Sequence, residues 1–144
     1  MRRLAVLMLW PVIVLAACSG GRGGVPDGAV DSRQAVDAFM KTVKDRDIQA
    51  MSLIWGTEKG PARDRMSRSD LEKRELLMQC YLRHDGYTVK GESPGQGGRV
   101  IYKVEVAQGT KRRETSFTTI KGPRDRWFVE DVDISVMQDF CTGR

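Results

Sequence analysis

VIYKVEVAQGTKRRETSFTTIK, residues 100–121, is the stretch on which the fold turns. Val100, Tyr102, Val104 and Val106 alternate with Lys103 and Glu105, the period of a strand with one buried face. Gln108-Gly109-Thr110 is turn chemistry, and within residues 111–120 Thr115, Phe117 and Thr119 share a face. The stretch reads as a β-hairpin.

Downstream, Gly122-Pro123-Arg124-Asp125 predicts a turn into a last strand over residues 126–136. There Trp127, Val129 and Asp131 are expected on one face, and Phe128, Val132, Ile134 and Val136 on the other. Upstream, Tyr87 and Val89 begin a short strand, and GESPGQGG, residues 91–98, is a turn. Before Gly86 the period becomes helical. Asp31 and Gln34 form a capping box for a helix over residues 32–44, its inner face Val36, Phe39, Met40 and Val43. Asp47 can cap a second helix through Ile48, Met51, Leu53, Ile54 and Trp55. Residues 56–66 read as a loop broken at Gly60-Pro61. Ser69 and Glu72 form the next capping box, and Leu71, Leu76, Leu77, Met78, Cys80, Tyr81 and Leu82 give the third helix a broad apolar face. Three helices followed by a four-stranded antiparallel meander is an α+β layout.

Three segments resemble the NTF2-like (cystatin-like cone) superfamily. AVDAFMKTVKDRDIQAMSLIW, residues 35–55, is similar to its opening helix pair, VEVAQGTKRRETSFTTIK to a central hairpin, and RDRWFVEDVDIS to the closing strand. The resemblance implies a curved sheet wrapped around the helices as an open cone. Some members use that cavity for isomerase or dehydratase chemistry; many bind or assemble, often pairing through the sheet. Fold alone does not choose between these.

The N-terminus carries a separate message. Met1-Arg2-Arg3 is basic, residues 4–17 hold no charge, and the run ends Leu15-Ala16-Ala17-Cys18. Basic start, apolar stretch and small residues are a secretion signal, too short for a spanning helix of about 20 residues. The ending resembles a bacterial lipobox, which implies cleavage before Cys18 and acylation of its thiol. An ordinary signal peptide with a coincidental cysteine, or a single membrane anchor, is the alternative. Residues 1–17 are thus expected to be removed and residues 18–30 to form a lipid-anchored tether, rich in glycine, ahead of a domain over residues 31–144. Ser19 rather than Asp after the cysteine leans toward the outer membrane, facing the periplasm, in a cell with two membranes.

Loss of Arg2 and Arg3 lowers the formal net charge from +5 to +3, too mild an excess to indicate nucleic-acid binding. Of the three cysteines, lipidation of Cys18 leaves Cys80 and Cys141. In an oxidising compartment an even pair suggests a disulfide; two buried thiols are the alternative. A four-strand meander brings the start of its first strand and the end of its last to one end of the sheet, where both cysteines fall.

His84 is the one histidine and lies beside Asp85, between Tyr81 and Tyr87. Imidazole and carboxylate can form a general base, yet a histidine before Gly86 at a helix end more commonly caps carbonyls. Asp131 and Asp133, with Glu105, are candidates for a carboxylate group inside the cone, or for a solvated strand face. Lys111, Arg112 and Arg113, with Lys121, Arg124 and Arg126, form a basic surface suited to anionic headgroups, or to keeping strand edges soluble. No nucleotide, metalloprotease or nucleophile-elbow motif occurs, and no cofactor or metal is expected. The candidate pocket residues are Tyr81, His84, Tyr102, Trp127 and Asp131. The sequence thus reads as a lipid-anchored cell-envelope domain that binds a small ligand or an envelope protein without catalysis. A small cavity enzyme built on His84, or a structural homodimer, is the alternative.

Overall fold

A computed structural model describes residues 26–142 of the chain. The expected signal segment, Cys18 and most of the tether lie outside the described residues. Helix α1 (Ser32–Asp45) begins where Asp31 accepts from the Gln34 N–H at 2.8 Å, satisfying one of the donors a helix start leaves bare. It ends at Arg46, whose left-handed backbone (φ 56°) turns its N–H onto the Thr42 and Val43 carbonyls. Asp47 then caps α2 (Ile48–Ile54) by accepting from the Ala50 N–H at 2.9 Å.

The third helix, α3 (Arg68–Tyr81), starts earlier than its expected box. Ser67, not Ser69, is the cap: its Oγ accepts from the Asp70 N–H and donates to the Asp70 carboxylate. Each serine has an acid three residues on, so spacing alone does not separate them. The broad apolar face is also corrected. Leu71, Glu75, Met78 and Leu82 form a narrow buried stripe, while Leu76 and Leu77 are 56% and 53% exposed.

Strands β3 (Gly86–Pro94), β4 (Val100–Gln108), β5 (Lys111–Lys121) and β6 (Trp127–Val132) form one antiparallel sheet in that order. With the three helices before it, this makes the chain α+β. The β4–β5 hairpin folds about Gly109 (φ 56°), setting Tyr102 opposite Phe117 and Val104 opposite Thr115. Its inner face meets Val36, Phe39, Met40 and Val43 of α1 in a single core. Phe39 and Phe117 pack edge to face with ring centroids 6.0 Å apart, a favoured aromatic geometry.

The last strand departs from its expected pattern at Glu130. Thr118 pairs with Asp131 but Thr119 with Val129, leaving Glu130 as an extra residue in a bulge. The inserted residue reverses the alternation, so Val129 and Val132, expected on opposite faces, both enter the core. The strand also stops at Val132 rather than continuing to Val136. Asp133 caps a tight turn (Ile134–Met137) by accepting from the Ser135 N–H, and a short helix, α4 (Gln138–Thr142), follows. Met137 and Phe140 are buried by this change of course. Cys141 of α4 is disulfide-bonded to Cys80 near the end of α3, with Cα atoms 4.9 Å apart.

Two further segments differ from expectation. Residues 56–61 form a miniature hairpin, β1 (Gly56–Thr57) with β2 (Gly60–Pro61). Residues 27–29, expected in the tether, belong to the folded part. Gly28 donates to the Leu53 carbonyl, and Ala29 exchanges backbone hydrogen bonds with Trp127. The glycines explain both. Phe128 leans on Gly28, Gly56 and Gly122, where an added Cβ would lie 2.8–3.0 Å from its ring carbons. Three separated glycines, each needed for its missing side chain, form a small second core on the outer face of β6.

Candidate functional site

The expected pocket residues do not gather around one space. Tyr102 is 2% exposed, and its hydroxyl shares a part-buried 2.7 Å hydrogen bond with Ser32 at the start of α1. Burial raises its pKa. With Phe39, Phe117 and Met40 it fills the region between helices and sheet, where an open cone would have had its cavity. Trp127 is half-buried under Lys121, whose ammonium lies 5.6 Å from the ring centroid. Asp131 is exposed and lines a recess of about 220 Å³ beside β6, with Trp55 and Leu77. Tyr81 is half-buried at the last turn of α3.

His84 lines a different recess, about 400 Å³, between the C-terminal ends of α1 and α3. Its Nδ1 is 2.9 Å from the Leu82 carbonyl, which can only accept, so Nδ1 carries a proton. Burial lowers its pKa against the pull of that carbonyl, and Lys44 lowers it further. Asp85 is not its partner: the carboxylate accepts from the Gly109 N–H at 2.6 Å and fastens the β4–β5 turn. Tyr87 donates to Asp37 at 2.7 Å, and burial with this bond pushes its pKa up to about 12. Asp85 and Tyr87 are therefore occupied in holding elements together.

The acidic candidates disperse likewise. Glu105 pairs with Lys90 at 3.4 Å, and Asp133 caps its turn. Among the described residues no three His, Cys, Asp or Glu side chains stand where they could hold a metal ion together. The basic surface divides between the two ends of β5, an 11-residue strand about 35 Å long. Arg113 pairs with Asp139 at one end, Arg124 with Asp27 at the other.

What sequence reading missed lies between α2 and α3. An open cleft of about 520 Å³ is walled by Ala50, Leu53 and Leu71, with Arg63 and Arg68 among its polar lining residues and Glu75 in its wall. Glu75 is 2% exposed, and its Oε1 is buried with no hydrogen-bond partner. Burial, then the charge of Glu72, raises its pKa to about 7. One turn on, beside the stripe and lining the His84 recess, the half-buried Gln79 also has a buried side-chain nitrogen without a partner. The large majority of buried side-chain polar atoms in folded proteins are paired. A carboxyl of this kind is a donor near or below neutral pH and an acceptor above it. The signal in the sequence was the stripe itself: an acid three residues before Met78 and four after Leu71.

A scan against protein-family models finds no match to the chain, and no curated protein matches its sequence. Among the described residues no helix is long and apolar enough to cross a membrane.

Proposed function

We propose that this is a lipid-anchored cell-envelope protein whose NTF2-like domain binds and does not catalyse, the bound group entering the α2–α3 cleft and meeting Glu75. The observation that carries the binding reading is the unpartnered, buried carboxyl in the wall of an open cleft. The space between helices and sheet is filled by Phe39, Tyr102 and Phe117, and His84 is engaged at Nδ1. Both observations weigh against the cavity-enzyme alternative. The Cys80–Cys141 bond suits an oxidising compartment, and Leu15-Ala16-Ala17-Cys18 supplies the anchor.

A ligand that donates a hydrogen bond to Glu75, such as an ammonium or guanidinium group of a small molecule or peptide, supplies the partner the fold leaves out. Titration of the full-length protein with agmatine and with lysine-containing peptides, followed by backbone NMR, tests this. Shifts are expected along α2 and on the Leu71–Gln79 side of α3, diminished in Glu75→Gln. Shifts confined to the His84 recess would move the binding site there. Intact mass of the membrane-extracted protein tests the anchor separately.

A further inference from the structure

We propose that the end of the molecule around Asp27 rests on an anionic phospholipid surface, with Arg63 and Arg124 toward the headgroups. The inference depends on the reading that Cys18 carries lipid. Because residues 27–29 are fastened to the fold, only residues 19–25 separate the acylated cysteine from Pro26. The eight residue-to-residue steps from Cys18 to Pro26 span at most about 28 Å when fully extended, and about 16 Å as a glycine-rich coil. The leash is short compared with the domain, so the Asp27 end is held nearest the bilayer.

That end is cationic at its surface for a geometric reason. Asp27 is the sunken member of its cluster: its side chain is 14% exposed, whereas those of Arg63 and Arg124, at 3.1 and 2.9 Å from it, are 47% and 71% exposed. Arg126 donates to the backbone carbonyls of Asp27 and Gly28, drawing a third guanidinium to the same place. Together with Pro26, these side chains line an open recess of about 390 Å³. Acids are present here as well: Asp64 lies 3.5 Å from Arg63, Asp125 3.7 Å from Lys121, and Glu58 is exposed next to Lys59. Exposed Lys59 and Arg65 leave cations in excess. Each basic residue near an anionic surface strengthens attraction about fivefold, and tethering makes the encounter intramolecular, so a modest patch suffices.

The test uses full-length lipidated protein reconstituted in phosphatidylcholine vesicles, with and without phosphatidylglycerol, read by hydrogen exchange. Residues 57–65 and 122–127 should exchange more slowly on the anionic vesicles, and the protection should vanish in about 1 M salt, where screening acts within roughly 3 Å. Arg124→Gln, and separately Lys59→Gln with Arg65→Gln, should lower the docked-to-free ratio about fivefold per charge removed. The second variant leaves the Asp27 contacts intact, so loosening of residues 27–29 from the fold cannot imitate the result. Identical exchange on both vesicles, with acylated Cys18 seen by mass, overturns the docking surface and leaves the anchor standing. If the mass shows no acyl chain, the anchor reading falls, and sedimentation of the chain with the same anionic vesicles decides the surface alone: salt-sensitive binding weakened by the Lys59 and Arg65 changes sustains it, and no binding overturns it.

Discussion

Two seams of this small domain are built on opposite terms. Between α1 and the sheet, buried polar groups are matched: Tyr102 by Ser32, Thr115 by the Asp133 carbonyl, Thr119 by the Val100 carbonyl. Between α2 and α3, Glu75 is buried with its Oε1 unmatched. A buried group lacking its partner costs roughly 1–3 kcal/mol, so the second seam carries a penalty that the first avoids. The contrast separates a seam whose polar groups satisfy one another from one whose buried carboxyl is left without a partner.

The largest expected effect is in the first seam. Phe117→Ala removes an aromatic with no exposed surface, packed on Phe39, and should lower unfolding free energy by about 3–5 kcal/mol in urea titration. A much smaller loss would mean that this seam is looser than its packing indicates.

Next comes the pH dependence of the second seam. The Glu75 pKa rises on folding from its ordinary value near 4.5 to about 7, so the native state holds a proton that the unfolded chain releases. This stability is fully present below about pH 4.5 and is lost as pH rises to about 7, close to 3 kcal/mol in all. Glu75→Gln should flatten that slope and be the more stable protein above neutrality. Melting curves from pH 4 to 9 would show it, and parallel profiles for the two proteins would end the claim.

Smaller effects sharpen the boundary of α3. Ser67→Ala deletes the observed cap and should cost about 1 kcal/mol, whereas Ser69→Ala, one turn position in, should cost little. Leu77→Ala, at a side chain 53% exposed, should change stability by no more than about 0.5 kcal/mol. A large loss there would show Leu77 to be covered in solution.

The legible part of the fold was the part governed by period. Alternation placed Tyr102, Val104 and Phe117 inward, and helical spacing placed Val36, Phe39, Met40 and Val43 against them. Reading failed where one residue breaks a period, as Glu130 does in β6, so that Val129 was assigned away from Val132. It failed again where distant residues cooperate. Gly28, Gly56 and Gly122 look like separate loop punctuation, and only Phe128 gives them a common purpose. The candidate site was obscured for a similar reason. Leu76 and Leu77 drew attention to an apolar face, while the informative residue was the acid inside the true stripe. Tyr81, His84, Tyr102, Trp127 and Asp131 were chosen for chemical capability, which composition shows, and not for convergence, which it does not.

The bond between Cys80 and Cys141 has a topological consequence. It joins residues 61 positions apart, and all four long strands lie between them. The sheet is therefore enclosed in a covalent ring, with α1, α2, the β1–β2 hairpin and most of α3 outside it on the N-terminal side. A protease that cuts the exposed turn near Gly97 and Gly98 opens the ring without releasing a fragment. Such a molecule would run as one species on a non-reducing gel and separate into two pieces after reduction.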